Sequence, residues 1–338
     1  GTLLGQGHTQ RAGGPHAEIM ALRDAAERGQ SVQGATAWVT LEPCAHQGRT
    51  GPCCDALATA GIGRVVAAMT DPNPQVAGQG MARLAAAGVL TETLAPDSDI
   101  ALQARELNVG FFSRMERGLP WVRLKVAASL DGQTALANGQ SQWITGPQAR
   151  ADGHAWRARA CAILTGIGTV LEDDPQLNVR GLEVPRQPHL VVVDSRLDMP
   201  LTAKLLDTQG AGEHARQIWV YTATSDQADK RAALTARGVT VIDCPGPGGK
   251  VDLAGMLRDL ARREINELHV EAGHKLNGSF IREGLVDEFL VYLAPQLLGP
   301  GQGMAHLPAL TALSDSVKLA FHDAQRIGPD LRLLLRRA

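Results

Sequence analysis

The chain has 338 residues, 44% of them hydrophobic and 20% charged, with a formal net charge of −2. That length supports two hydrophobic cores of ordinary size. The near-balanced charge lacks the basic footprint of a nucleic-acid binder, no apolar run approaches the ~20 residues of a membrane helix, and no charged-then-apolar leader opens the chain, so the expected setting is the cytoplasm and the expected partner a small molecule.

From the N-terminus, GTLLGQGHTQRAGG predicts a strand entering a Gly-rich turn, and the missing Met suggests an incomplete start. A helix follows at HAEIMALRDAAERG, then a strand at ATAWVTLEP, a short helix at CCDALATAG, a strand at RVVAAMT and a helix at GMARLAAAG. Strands separated by helices imply a largely parallel α/β sheet. One longer helix is expected from Ser98 to Met115. It ends in RMERGLP, where charge, Gly and Pro come together, and this sets the domain boundary between residues 1–117 and 118–338.

The second part repeats the alternation. Strands are predicted at WVRLKVAAS, CAILTG, HLVVVDS, QIWVYTA, VTVID, ELHVEAG and DEFLVYLAP, with helices such as PQARADGHAWRARA and VDLAGMLRDLARREI between several of them. The tail VKLAFHDAQRIGPDLRLLLRR reads as two strands joined by a Gly-Pro turn, an antiparallel pair closing the sheet.

Three of the five cysteines fall within PCAHQGRTGPCC. An odd number of cysteines in a reducing compartment argues for metal or catalysis over disulfides. His16 and Glu18 open a helix, and Cys44 and Cys53 flank a loop between a strand end and the next helix. One His and two Cys are the three protein ligands of a catalytic zinc whose fourth position stays open, with Glu18 as proton shuttle. Helix N-termini favour thiolates and anions nearby. A structural zinc site is the rival reading, but such a site wants four protein ligands. The usual second half of this signature is C-x-x-C, whereas eight residues separate Cys44 from Cys53 here. Cys54 reads as a bystander, and Cys161 and Cys244 as core residues. TGIGT offers a close backbone approach without being a full dinucleotide motif, and GPGGK lacks the spacing of a phosphate loop and reads as a linker.

HAE, TLEPCAHQGRTGPCCDAL and TDPNPQVAGQG together resemble the first half of the bifunctional deaminase/reductase family of riboflavin biosynthesis. The resemblance continues through LKVAASLDGQTA, SQWITGPQAR, LTGIGTVLEDDPQLNVR, VVDSR, HVEAG and LVDEFLVYLAPQLLG, nearly the whole chain. It implies a cytidine-deaminase-like domain followed by a dihydrofolate-reductase-like one. The implied activities are zinc-dependent deamination of 2,5-diamino-6-ribosylamino-4(3H)-pyrimidinone 5′-phosphate, then NADPH-dependent reduction of the ribosyl side chain to ribityl. By motif position, Ala127, Trp143, Thr169, Asp173, Ser195 and the turn at Gly273 would line the NADPH site. Ser141, Arg157, Leu177, Arg180 and Glu271 would face the phosphorylated sugar, and Asp173 would stand beside the hydride-transfer centre. His46 and Arg49, in the loop between the cysteines, could recognise the polar substrate. The family carries a helix and a strand before the position of Gly1, and Ala272 stands where a second Gly is usual.

Two rivals come from other classes: a reductase whose first domain is only a zinc-stabilised module, and a nucleic-acid deaminase, which the low basicity disfavours. A homo-oligomer is expected, without nucleic acid or membrane partners.

Overall fold

In the first part of the chain, short strands pair side by side because the helices between them return each strand in the same direction. The strands β1 (Thr36–Val39), β2 (Arg64–Ala67) and β3 (Leu90–Thr93) make a parallel sheet in that order. Around it run α1 (Ala17–Glu27), α2 (Cys53–Thr59), α3 (Gln79–Ala86), α4 (Asp99–Leu107) and α5 (Val109–Arg117). Leu57 of α2 and Leu84 of α3 pack on Val65 of β2, with Leu22 of α1 against the same cluster. The computed structural model describes residues 1–11, 13–46, 51–74, 76–208, 210 and 215–338. By internal contacts the chain divides into two units, Gly1–Arg117 and Gly118–Ala338.

The second unit holds a nine-stranded sheet. Its strands are β4 (Trp121–Ser129), β6 (Ala162–Gly166), β7 (His189–Val193), β8 (Ile218–Thr222), β9 (Val239–Asp243), β10 (Glu267–Val270), β11 (Glu288–Ala294), β13 (Leu319–Ile327) and β14 (Asp330–Arg337). The order is β13-β14-β11-β4-β10-β6-β7-β8-β9, parallel from β11 to β9, with the β13–β14 hairpin antiparallel at one edge. A separate ribbon pairs β5 (Gln133–Leu136) with β12 (Gly301–Gly303). The helices are α6 (Pro147–Arg159), α7 (Ile167–Asp173), α8 (Ala228–Ala236), α9 (Leu253–Arg262) and α10 (His274–Arg282).

Alternation sorts the side chains of β4 between two faces. Val122, Leu124 and Val126 join the main core with Met256, Leu257 and Leu260 of α9. On the other face, Arg123 is 2% exposed between Glu267 (2.9 Å) and Glu288 (2.5 Å). Removing one partner of such a buried pair costs ~3–5 kcal/mol, which keeps this face specified although it is polar.

Two expectations are corrected. Residues 1–10 form no strand. Gly5 and Gly7 instead lie against α1, so closely that a Cβ would stand 2.4 Å from the Ala21 carbonyl and 2.5 Å from that of Ala17, and the Gln6 amide donates to Asp24 (2.8 Å). The expected single helix from Ser98 to Met115 is two helices, because Asn108 leaves helical geometry at φ −119° between α4 and α5.

Candidate active site

The first unit brings its metal-ligand candidates to the starts of two helices. His16 is the N-cap of α1, and its side chain makes no capping bond, which leaves the ring available. Cys53 opens α2 behind Pro52, which is extended at φ −60° and ψ 130°. Cys44 follows the strand β1 and accepts from the Cys53 amide at 3.4 Å. The His16 Nδ1 lies 3.5 Å from Cys44 Sγ and 3.4 Å from Cys53 Sγ, and all three donor atoms fall within 4.8 Å of one another. Ligands held ~2.0–2.3 Å from one zinc stand about that far apart, so one imidazole and two sulfurs fit the ion. Among the described residues no fourth His, Cys, Asp or Glu joins the group, which leaves one position of a tetrahedral ion to substrate or solvent.

The two thiols differ. The hydrogen bond from Cys53 lowers Cys44 to about 5 against an opposing burial effect, helped by the Cys53 amide and by His16. The same bond, with burial, pushes Cys53 up, so one sulfur carries the proton that the other gives up. Glu18, in the first turn of α1, interacts with the Cys53 thiol, and burial raises its pKa above the ordinary carboxyl value. A carboxyl with raised affinity for protons beside the ligand set is suited to carry one. His46 is exposed, and Arg49 lies outside the described residues.

Sequence reading passed over Glu42. It is 3% exposed, and its carboxylate accepts from four backbone amides: Asp71 (3.2 Å), Gly78 (2.9 Å), Gly80 (2.8 Å) and Met81 (3.2 Å). This ties the segment leading into Cys44 to the start of α3. Gly80 is required there, since a Cβ would stand 1.9 Å from the Pro43 carbonyl oxygen.

In the second unit the parallel strands bring their C-terminal ends to one edge, where open α/β sheets take ligands. Glu271 follows β10 and receives both arms of Arg157 of α6, at 2.5 Å on Oε1 and 2.9 Å on Oε2. Lys125 of β4 stands 3.8 Å from Glu271 Oε2 and the fully buried His269 3.2 Å from Oε1. Burial raises the Glu271 pKa, but Arg157, Lys125 and the His269 bond overcome it and hold it well below the usual carboxylate range. Lys125 was not singled out from sequence, although period-two alternation from Ala127 puts it on the same face. Glu271 and Arg157, both expected to face the sugar, thus contact each other.

Leu177 and Arg180 lie on the segment after α7. Leu177 is buried in the left-handed region (φ 47°), and the Arg180 side chain is exposed, donating to Asn178 Oδ1 at 2.7 Å. Asp173 ends α7 at an exposed position, where partial desolvation and the neighbouring Glu172 charge raise its pKa. Thr169 and Gly273 come together: a Cβ on Gly273 would lie 3.9 Å from Thr169 Oγ1. Ala127 is half-buried near Trp156 on the α6 face of the sheet, and Ser141 is half-buried. Trp143 is 67% exposed and stacks on Arg150 at 4.5 Å, and Ser195 Oγ accepts from the Val251 amide at 3.2 Å.

Two family models match the chain. Residues 120–333 match the RibD C-terminal domain, and residues 1–69 match the cytidine and deoxycytidylate deaminase zinc-binding region. The riboflavin biosynthesis protein RibD of Escherichia coli K12 is 44% identical over 99% of this chain and 90% of its own length. That of Haemophilus influenzae is 43% identical over 98% of this chain and 88% of its own. Among solved structures, Acinetobacter baumannii RibD superposes with a TM-score of 0.87 at 41% identity over 100% of this chain and 89% of that one. A Thermotoga maritima diaminohydroxyphosphoribosylaminopyrimidine deaminase/5-amino-6-(5-phosphoribosylamino)uracil reductase gives 0.79 at 28% identity, covering 96% and 86%. A donor set fit for zinc beside an acid, followed by a second α/β unit and matched by these relatives over 96–100% of this chain, makes the chain a member of the RibD family.

Proposed function

We propose that this protein is a bifunctional enzyme of riboflavin biosynthesis. Residues 1–117 deaminate the pyrimidine ring of the phosphoribosylamino substrate, and residues 118–338 reduce the ribosyl chain of the deaminated product to ribityl at the expense of NADPH. The observation that carries the reading is the convergence of His16, Cys44 and Cys53 beside the half-buried Glu18 in a chain that also has the second unit matched by the RibD C-terminal domain.

His16, Cys44 and Cys53 hold the metal. A bound zinc would supply Lewis acidity there, bringing the pKa of a water held against the amino-bearing ring carbon towards neutrality. Glu18 takes the proton released from that water and delivers it to the departing amino group, so ammonia leaves and a ring carbonyl remains. In the second unit NADPH supplies the hydride. Ala127, Trp143, Thr169, Ser195 and Gly273 are assigned to its binding, with Asp173 as the polar group beside the reacting carbon. Arg157 and Arg180 hold the substrate phosphate, for which guanidinium forks are suited, and Ser141, Leu177 and Glu271 border the sugar. The enzyme is further assigned to the cytoplasm, as a homo-oligomer. Five free cysteines suit a reducing compartment, and no helix among the described residues is long and apolar enough to cross a membrane.

Glu18→Gln tests the division of labour. The variant should keep its zinc, lose deamination by about a hundredfold or more, and reduce the already deaminated intermediate at the wild-type rate. Normal deamination would remove Glu18 from the reaction.

A further inference from the structure

Arg216 is 2% exposed, and among the described residues no carboxylate pairs with it. Its three nitrogens donate instead to neutral oxygens: Nε to the Pro188 carbonyl (2.7 Å), Nη1 to Thr208 Oγ1 (3.0 Å) and Nη2 to the Leu177 carbonyl (2.8 Å). Burying an unpaired charge is costly, and an apolar side chain would fill the space without that cost. The arginine therefore calls for a reason beyond packing.

Its third bond gives one. Leu177 stands in the left-handed region, and the backbone from there to Arg180 is tied at every step. The Asn178 carbonyl accepts from Arg157 Nη1 (3.0 Å), Gln187 bonds both the Val179 amide (2.8 Å) and carbonyl (3.1 Å), and the Arg180 amide donates to His154 Nδ1 (3.2 Å). The charge also reaches further than its contacts. Burial first, and then the like charge of Arg157, pull the Arg216 pKa down to about 10, while Arg157 itself is paired with Glu271. The Arg216 charge favours an incoming dianion, since fields in a poorly solvated site are weakly screened.

We propose that Arg216 is a positioning residue for substrate phosphate: its fork fixes the backbone of residues 177–180 that presents Arg180, and its charge, which no carboxylate among the described residues pairs with, adds to the positive field under that segment. The inference rests on the reading that residues 177–180 receive the phosphorylated sugar.

The test measures ribose 5-phosphate and NADPH binding to the full chain by calorimetry, for wild type, Arg216→Met, Arg216→Lys and Arg180→Ala. Arg216→Met should bind ribose 5-phosphate at least about tenfold more weakly while its NADPH affinity stays within about twofold. Arg216→Lys keeps the charge but cannot span both carbonyls from one ammonium, and should fall between Arg216→Met and wild type, about three- to tenfold weaker. Wild-type ribose 5-phosphate affinity in Arg216→Met, with a loss in Arg180→Ala, overturns the proposal and leaves the phosphate reading standing. No loss in either variant overturns both. Should Arg216→Met fail to bind NADPH, and so be misfolded, Arg216→Lys decides, and wild-type ribose 5-phosphate affinity there overturns the proposal.

Discussion

At the scale of single residues, the first unit brings three candidate ligand atoms together beside one carboxyl. With only three protein ligands, loss of one strips most of the affinity, so Cys53→Ser should leave the purified chain with little of the roughly one zinc per chain expected for the wild type. Metal analysis with the metal retained would reassign Cys53. In the second unit, Arg180→Ala should mainly raise KM, by roughly ten- to a hundredfold for a lost charge-assisted contact of ~1.5–3 kcal/mol, whereas Asp173→Asn should mainly lower kcat. Steady-state NADPH oxidation with the deaminated intermediate separates them, and wild-type constants in both would leave the assigned site without support. The cluster of His16, Cys44 and Cys53 was legible in the sequence because each residue sits beside a local signal, H-x-E or Pro-Cys. The Arg157–Glu271 pair was not legible as a pair. Its partners are 114 positions apart, and only the pairing of β10 with β4 and β6 brings Glu271 to the edge that α6 overlies.

At the scale of elements, Glu42 joins the strand end before Cys44 to the start of α3 through four amide bonds. Glu42→Gln keeps one oxygen and turns an NH2 group against two of those donors. Two buried amides left unbonded at ~1–3 kcal/mol each should lower the stability of the first unit by about 2–6 kcal/mol, read as an earlier calorimetric transition with weaker zinc retention. An unchanged transition would mean that these bonds are dispensable. Helices and buried strands were readable from their periods, with the apolar runs of β6, β7 and β8 the clearest. The N-terminal stretch misled because Leu3, Leu4 and the alternating glycines imitate a strand, while the missing side chains at Gly5 and Gly7 in fact let the backbone lie on α1. The four-residue β3 was missed, since a piece that short declares itself only through its pairing with β2.

At the scale of the whole molecule, the two units carry different donor chemistry. The first offers sulfur and imidazole at helix starts, and the second offers guanidinium, ammonium and carboxylate at the C-terminal ends of parallel strands. The two units divide within RMERGLP, where Gly118 takes a positive φ of 66° before β4 begins. One chain thus performs both reactions in sequence. The direct test supplies the purified zinc-loaded chain with the diaminopyrimidinone ribosylamine phosphate and measures ammonia, NADPH consumption and products together. One ammonia and one NADPH per ribityl product are predicted, with the reaction stopping at the deaminated intermediate when NADPH is omitted. Failure to release ammonia, while added deaminated intermediate is still reduced, would contradict the account and leave a reductase carrying a zinc-stabilised module.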